Sequence, residues 1–179
     1  MDKMNKLEEL GIKYGTDKIG KHNYLPVYYD LFKNKRNKVK KVLEIGVGEG
    51  AGLRMFRDFF PNAIIYGADN DPKRVFVDPP IQVFKCDQTE IDDLISLINK
   101  TGCDIDLVID DGSHRPSDQI FTCKELLPSL DRGVIYVIED VAENIVDKEV
   151  RVFAHNHKCY VEDKKVGKRY DDRLIIIKK

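Results

Sequence analysis

Apolar residues fall into short runs separated by amphipathic stretches, in an order that predicts alternating strands and helices. Val39–Val47 reads as a buried strand running into a glycine-rich turn, and Leu53–Phe60 as an amphipathic helix that ends at Pro61. Ala63–Ala68 and Ile81–Lys85 are the next two strands, followed by a helix over Glu90–Asn99 with Ile91, Leu94, Ile95, Leu97 and Ile98 turned inward. Ile105–Ile109 and Gly133–Ile138 are strands flanking a helix from Ser117 to Leu127 that Pro128 should stop. Val141–Asp147 reads as a short helix. Two β-rich runs, Val150–Glu162 and Arg173–Ile177, close the chain around a charged turn over 164–172. The pattern predicts a single α/β domain: a mostly parallel seven-stranded sheet with helices on both faces, over 39–179, preceded by a helical cap segment, 1–38.

In that cap, Tyr24, Tyr28, Tyr29 and Phe32 recur at helical spacing and read as packing. Thr16, Asp17 and Lys18 do not; such a polar loop suits contact with a zwitterionic ligand. His22 and Tyr24 are candidates for an acceptor pocket.

A length of 179 residues suffices for one core, so neither disulfide nor metal is needed merely to fold. The net charge of -1 offers no general attraction to a polyanion, which disfavours nucleic acid as a partner. The basic run Lys33–Lys41 is then a solvated loop. No apolar run is long enough to span a bilayer, and MDKMNKLEEL lacks the apolar core of a signal peptide, so a cytoplasmic protein without a membrane partner is expected. Cys86, Cys103, Cys123 and Cys159 show no metal-ligand spacing and read as reduced and structural.

The chemistry is concentrated where strands stop. Gly46, Gly48 and Gly50 follow the first strand and permit close approach of the backbone to a ligand. Gly46, Gly48 and Ala51 also fit the dinucleotide spacing, so NAD and adenosyl compounds both remain open. Asp69 closes the second strand, where an acid commonly accepts from a ribose diol; capping the turn before Pro72 is the plainer role. VIDDGSH, Val108–His114, brings two carboxylates, a turn and an imidazole to one strand end, and Glu139–Asp140 closes the next. Either acid pair alone could be a helix cap or a solvated strand end. Together, carboxylates on neighbouring strand ends repel one another, and a cation would hold them.

YGTDK (Tyr14–Lys18), EIGVGEG (Glu44–Gly50), FPNAIIYGAD (Phe60–Asp69), CDQ (Cys86–Gln88), DDGSH and VIED together resemble the class I S-adenosylmethionine-dependent methyltransferases. Within them they resemble the metal-dependent sugar O-methyltransferases of macrolide deoxysugars, nearly throughout from Tyr14. The resemblance implies that Gly46, Gly48 and Gly50 lie against the methionine part of the cofactor, supported by Glu44. It also implies that Asp69 holds the ribose, that Asp87 and Gln88 flank the adenine, and that Thr16 reaches the cofactor; Asp110 is expected to face it. Asp111, Glu139 and Asp140 would bind a divalent metal, with His114 as proton acceptor. Oxygen ligands without thiolate suit Mg²⁺, Mn²⁺ or Ca²⁺, and Mg²⁺ is expected. Phe56 stands where the family often has tryptophan. The auxiliary N-terminal domain of the macrolide enzymes is lacking and the segment after Asp140 is short, so the resemblance does not reach acceptor recognition or the choice between monomer and homodimer.

The implied reaction is methyl transfer from S-adenosylmethionine to a sugar hydroxyl, as of a deoxyhexose such as rhamnose in a glycan or glycosylated metabolite. A catechol-like or other vicinal diol is the alternative acceptor. An NAD-binding oxidoreductase would leave DDGSH and VIED without purpose, and a non-catalytic binding domain would not need His114.

Overall fold

The computed structural model describes residues 4–142, 144–155, 157–164 and 171–179. Two helices come first, α1 (Lys6–Tyr14) and α2 (Leu25–Phe32). Asn5 caps α1, its side chain accepting from the Leu7 and Glu8 amides while Glu8 accepts from the Asn5 amide. There follow β1 (Lys41–Ile45), α3 (Ala51–Phe59), β2 (Ile64–Asp69), β3 (Val77–Asp78), β4 (Ile81–Lys85), α4 (Ile91–Thr101) and β5 (Leu107–Asp110). The chain continues through α5 (Pro116–Ser129), β6 (Ile135–Ile138), α6 (Asn144–Phe153), β7 (Lys158–Asp163) and β8 (Arg173–Lys178).

One sheet carries the order β3-β4-β2-β1-β5-β6-β8-β7. The strands from β4 to β6 run parallel, and β8 joins β6 antiparallel, between β6 and β7. Alternate strand residues feed two cores: Val42, Ile65, Leu107 and Ile109 pack with α1–α3, while Leu43, Tyr66, Val108 and Tyr136 face the side of α4–α6. Strand order reverses at β1, so a crevice opens beyond the carboxyl ends of β1 and β5.

Four expectations change. The sheet has eight strands, because the two residues of β3 pair antiparallel with β4 at the edge. Val150–Phe153, expected to open a β run, continue α6. Val146, Val150 and Ala154, spaced at four, are buried, whereas Val152 is 69% exposed, so the helical period governs and the strand starts only at Lys158. Pro128 lies inside the last turn of α5 instead of stopping it. Ile91 and Ile95 of α4, expected to turn inward, are exposed. Most of the expected charged turn, residues 165–170, lies outside the described residues.

Candidate active site

Two adjoining clefts of about 440 and 490 Å³ occupy the crevice and share Gly46, Asp69 and Gly112. The glycine turn after β1 forms their common wall. Gly46 has φ +84°, and an added Cβ would lie 2.0 Å from the Asp111 carbonyl oxygen, so only glycine lets these two strand ends meet. Asp69 braces the turn: one carboxylate oxygen accepts from the Val47 amide at 2.9 Å and the other from the Asp71 amide at 2.9 Å. Glu44 lies behind it, against Gly52, and burial pushes its pKa up to about 7 even beside Lys18.

The 440 Å³ cleft is lined by Asp69, Asp87, Gln88 and Ser113, among others. Asp87 is held in place by the Thr89 amide and hydroxyl, which also lower its pKa. The amide of Gln88 is fully committed: it donates to Asp110 and Thr122 and accepts from the Ser113 amide at 2.7 Å, tying the DDGSH loop to β4. The 490 Å³ cleft is lined by Thr16, Asp17, Lys18, Gly48, Arg74, Asp111 and His114.

At its inner end lies a group of acids. The ammonium of Lys18, 2% exposed, stands 2.7 Å from Asp111, 2.8 Å from Glu139 and 3.2 Å from Glu44. Burial works against its charge, but the three carboxylates hold its pKa well above the usual lysine value. Glu139 gives its other oxygen to the Tyr28 hydroxyl at 2.5 Å, and burial raises its pKa to about 8. Asp111 turns its free oxygen outward to His114 Nε2 at 3.1 Å, while His114 Nδ1 lies 3.5 Å from Asp140. That bond to Asp111 pushes the pKa of His114 up to about 9. Asp111, His114 and Asp140 bring one ligand atom each within 4.8 Å of one another. His114 (φ +57°) and Asp140 (φ +53°) both have left-handed backbones, a strained conformation for residues with a Cβ.

The residues expected from sequence divide accordingly. Thr16, Glu44, Gly46, Gly48, Asp69, Asp87 and Gln88 line the clefts, and Asp111, His114 and Asp140 converge. The remaining expected residues make other contacts in the structure. Asp110, expected to face the cofactor, is buried below the loop between Gln88 and Tyr136, because the last β5 residue points into the sheet's helical side. Gly50 serves as the turn into α3, with φ +76°, and lines neither cleft. Glu139, expected as a metal ligand, has both oxygens engaged by Lys18 and Tyr28. His22 and Tyr24, expected at the acceptor, are buried beneath Asp140 and line neither cleft: the Tyr24 hydroxyl donates to Asp140 at 2.7 Å, and His22 Nδ1 lies 2.5 Å from Asp172. Sequence reasoning missed Tyr28 and Asp172, and it read Lys18 as a ligand contact without its role as counter-ion to Glu44, Asp111 and Glu139.

This sheet order, with a glycine-turn cleft at the switch point, is the architecture of the class I methyltransferases, and the chain has that fold. No family model matches it. Its homologues are sugar O-methyltransferases of macrolide and polyketide deoxysugars. It is 34% identical over 142 residues to 8-demethyl-8-alpha-L-rhamnosyl tetracenomycin-C 2'-O-methyltransferase of Streptomyces olivaceus, matching 75% of this chain and 37% of that one. It is 36% identical over 143 residues to mycinamicin VI 2''-O-methyltransferase of Micromonospora griseorubida, matching 75% of this chain and 36% of that one. Among solved structures it is similar to the MycE methyltransferase from the mycinamycin biosynthetic pathway in complex with Mg, SAH and mycinamycin VI. The TM-score is 0.82 and the identity 27%, over 98% of this chain and 55% of that one. The chain thus spans well under half the length of the curated relatives it matches. An O-methyltransferase from Bacillus cereus, 13% identical with a TM-score of 0.63, shares the fold.

Proposed function

We propose that this chain is the catalytic domain of a cytoplasmic S-adenosylmethionine- and Mg²⁺-dependent O-methyltransferase acting on a sugar hydroxyl, that of a deoxyhexose such as rhamnose in a glycan or glycosylated metabolite. The observation that carries the reading is the convergence of Asp111, His114 and Asp140 within 4.8 Å, beside a cleft that Asp111 and His114 line and a glycine turn walls. The named relatives methylate sugars of just this kind, and the MycE complex contains Mg and SAH. Four free cysteines fit a reducing compartment.

The chain's residues fit both groups. The glycine turn leaves room for a ligand where a side chain would collide; Thr16, Gly46 and Gly48 would face the methionine part of the cofactor, and Asp69, Asp87 and Gln88 its nucleoside. Asp111 and Asp140 offer hard oxygen donors suited to Mg²⁺. Glu139 would join them only by giving up Lys18 and Tyr28. A bound Mg²⁺ would supply Lewis acidity that eases ionisation of the acceptor hydroxyl. The cleft walls would hold donor and acceptor together, and His114 would take the acceptor's proton as the methyl group leaves the sulfonium for the acceptor oxygen. As it stands, His114 keeps its own proton at pH 7 through Asp111. With that Asp111 oxygen engaged by a cation, the imidazole would lose the partner that holds its proton and would be free to act as a base.

Labelled methyl transfer to a panel of rhamnosides and related deoxyhexosides, with Mg²⁺ or with EDTA, tests the reading. Transfer that requires Mg²⁺ is expected. Absence of transfer to every sugar, with S-adenosylhomocysteine bound normally by calorimetry, would overturn the sugar acceptor; failure to bind it would overturn the whole reading.

A further inference from the structure

The acid nearest His114 after Asp111 is Asp140, and its position is improbable on its own. It follows Glu139 directly, is 3% exposed, and has φ +53° without being glycine. Burial and the neighbouring Asp111 raise its pKa. Left to itself, such a carboxylate would relax its backbone and turn outward, away from the other acids.

Two buried side chains of the N-terminal segment prevent this. The Tyr24 hydroxyl reaches Asp140 Oδ1 at 2.7 Å and has the Asp171 carbonyl as a second acceptor at 3.1 Å. His22 Nδ1 faces two carboxylates, Asp172 at 2.5 Å and Asp140 Oδ1 at 3.5 Å, and its ring stacks on Tyr24 with centroids 4.9 Å apart. His22 is 2% exposed, and its Nε2 has no hydrogen-bond partner among the described residues, so Nδ1 is the ring's polar anchor. Oδ1 of Asp140 is thereby taken from inside, and Oδ2 is left to face His114, which lines the larger cleft. Neither side chain lines the clefts, so neither role is contact with an acceptor.

We infer that His22 and Tyr24 are positioning residues: with Asp172 as the anchor of His22, they hold Asp140 in its left-handed conformation so that it presents Oδ2 alone to a divalent cation. The inference rests on Asp140 as a cation ligand and adds the device that makes it one. Groups behind metal ligands typically change metal affinity by about 10- to 100-fold when removed.

The test measures Mn²⁺ binding by electron paramagnetic resonance of the free ion, and S-adenosylhomocysteine binding by calorimetry, on the full chain. Tyr24→Phe, which removes only the hydroxyl, should weaken Mn²⁺ binding about 10-fold while cofactor affinity stays within about 3-fold. His22→Ala should do the same, and His22→Asn, whose amide nitrogen replaces Nδ1, should recover most of the loss. Mn²⁺ affinity within 2-fold of wild type in both Tyr24→Phe and His22→Ala overturns the inference, as does equal loss in His22→Asn and His22→Ala. If His22→Ala does not fold, Tyr24→Phe and His22→Asn decide. If wild type binds no Mn²⁺, the cation reading has failed; crystal structures of wild type and Tyr24→Phe then decide the positioning claim, which falls if Asp140 is unmoved.

Discussion

Replacing Lys18 with methionine removes one positive charge, keeps most of the side chain's volume, and leaves Glu44, Asp111 and Glu139 without their ammonium, which stood 2.7–3.2 Å from each. Breaking a buried pair by removing one partner costs about 3–5 kcal/mol, because the abandoned charge stays buried. In a domain of this size that corresponds to a fall in Tm of roughly 6–20 °C. The cost depends on pH in a definite direction. Glu44 and Glu139 already have pKa values raised to about 7 and about 8 in the folded chain, and losing the ammonium raises them further. An acid whose folded pKa lies above its unfolded value gives stability below the unfolded value and loses it as pH rises through the folded one. The deficit of Lys18→Met should therefore be largest above pH 8 and shrink toward pH 5, where both glutamates take up protons. Thermal unfolding followed by circular dichroism from pH 5 to 9 measures this. A Tm within about 2 °C of wild type at pH 8, or a deficit that grows toward pH 5, would refute Lys18 as the counter-ion of the centre.

Other outcomes follow from the same structure. Gly46→Ala places a Cβ 2.0 Å from the Asp111 carbonyl, so β1 and β5 must part at their ends, and calorimetry should show S-adenosylhomocysteine affinity reduced at least about 100-fold. His114→Gln should lower methyl transfer about 10²- to 10⁴-fold in single-turnover assays while cofactor affinity stays within a few-fold; full activity would remove His114 from proton transfer. Asp58 ties α3 to Lys13 and Tyr14 of α1, and its pKa is lowered to about 2, chiefly by the Lys13 ammonium. Its contribution, about 1 kcal/mol after allowing for the exposure of Lys13, is present above pH 4 and lost as pH falls through 2, so Asp58→Asn should flatten the acid side of the stability profile in urea titrations.

The central strands β5 and β6 were legible because both are buried along their whole length and read as apolar runs, LVI before Asp110 and IYVI. Strand ends then marked the crevice, and Gly46, Asp69, Asp111, His114 and Asp140 all stand there. What pattern could not supply was partnership at long range. Lys18 bonds residues 93 and 121 positions away, and no periodicity connects them. Asp110 and Asp111 are neighbours of identical composition, yet the turn of the backbone between them sends one under the loop and the other to Lys18 and His114. Val150 and Val152 alternate as a strand would, and only the burial of Val146 and Ala154 shows that the helical register prevails.

Because β8 lies between β6 and β7, the last strand in the sequence is an interior strand of the sheet. Its first residue, Arg173, directly follows Asp172, which meets His22, so pairing β8 with β6 and β7 also seats the group that braces Asp140 from inside. Loss of that strand from the sheet would unseat Asp172 and, through His22, loosen Asp140.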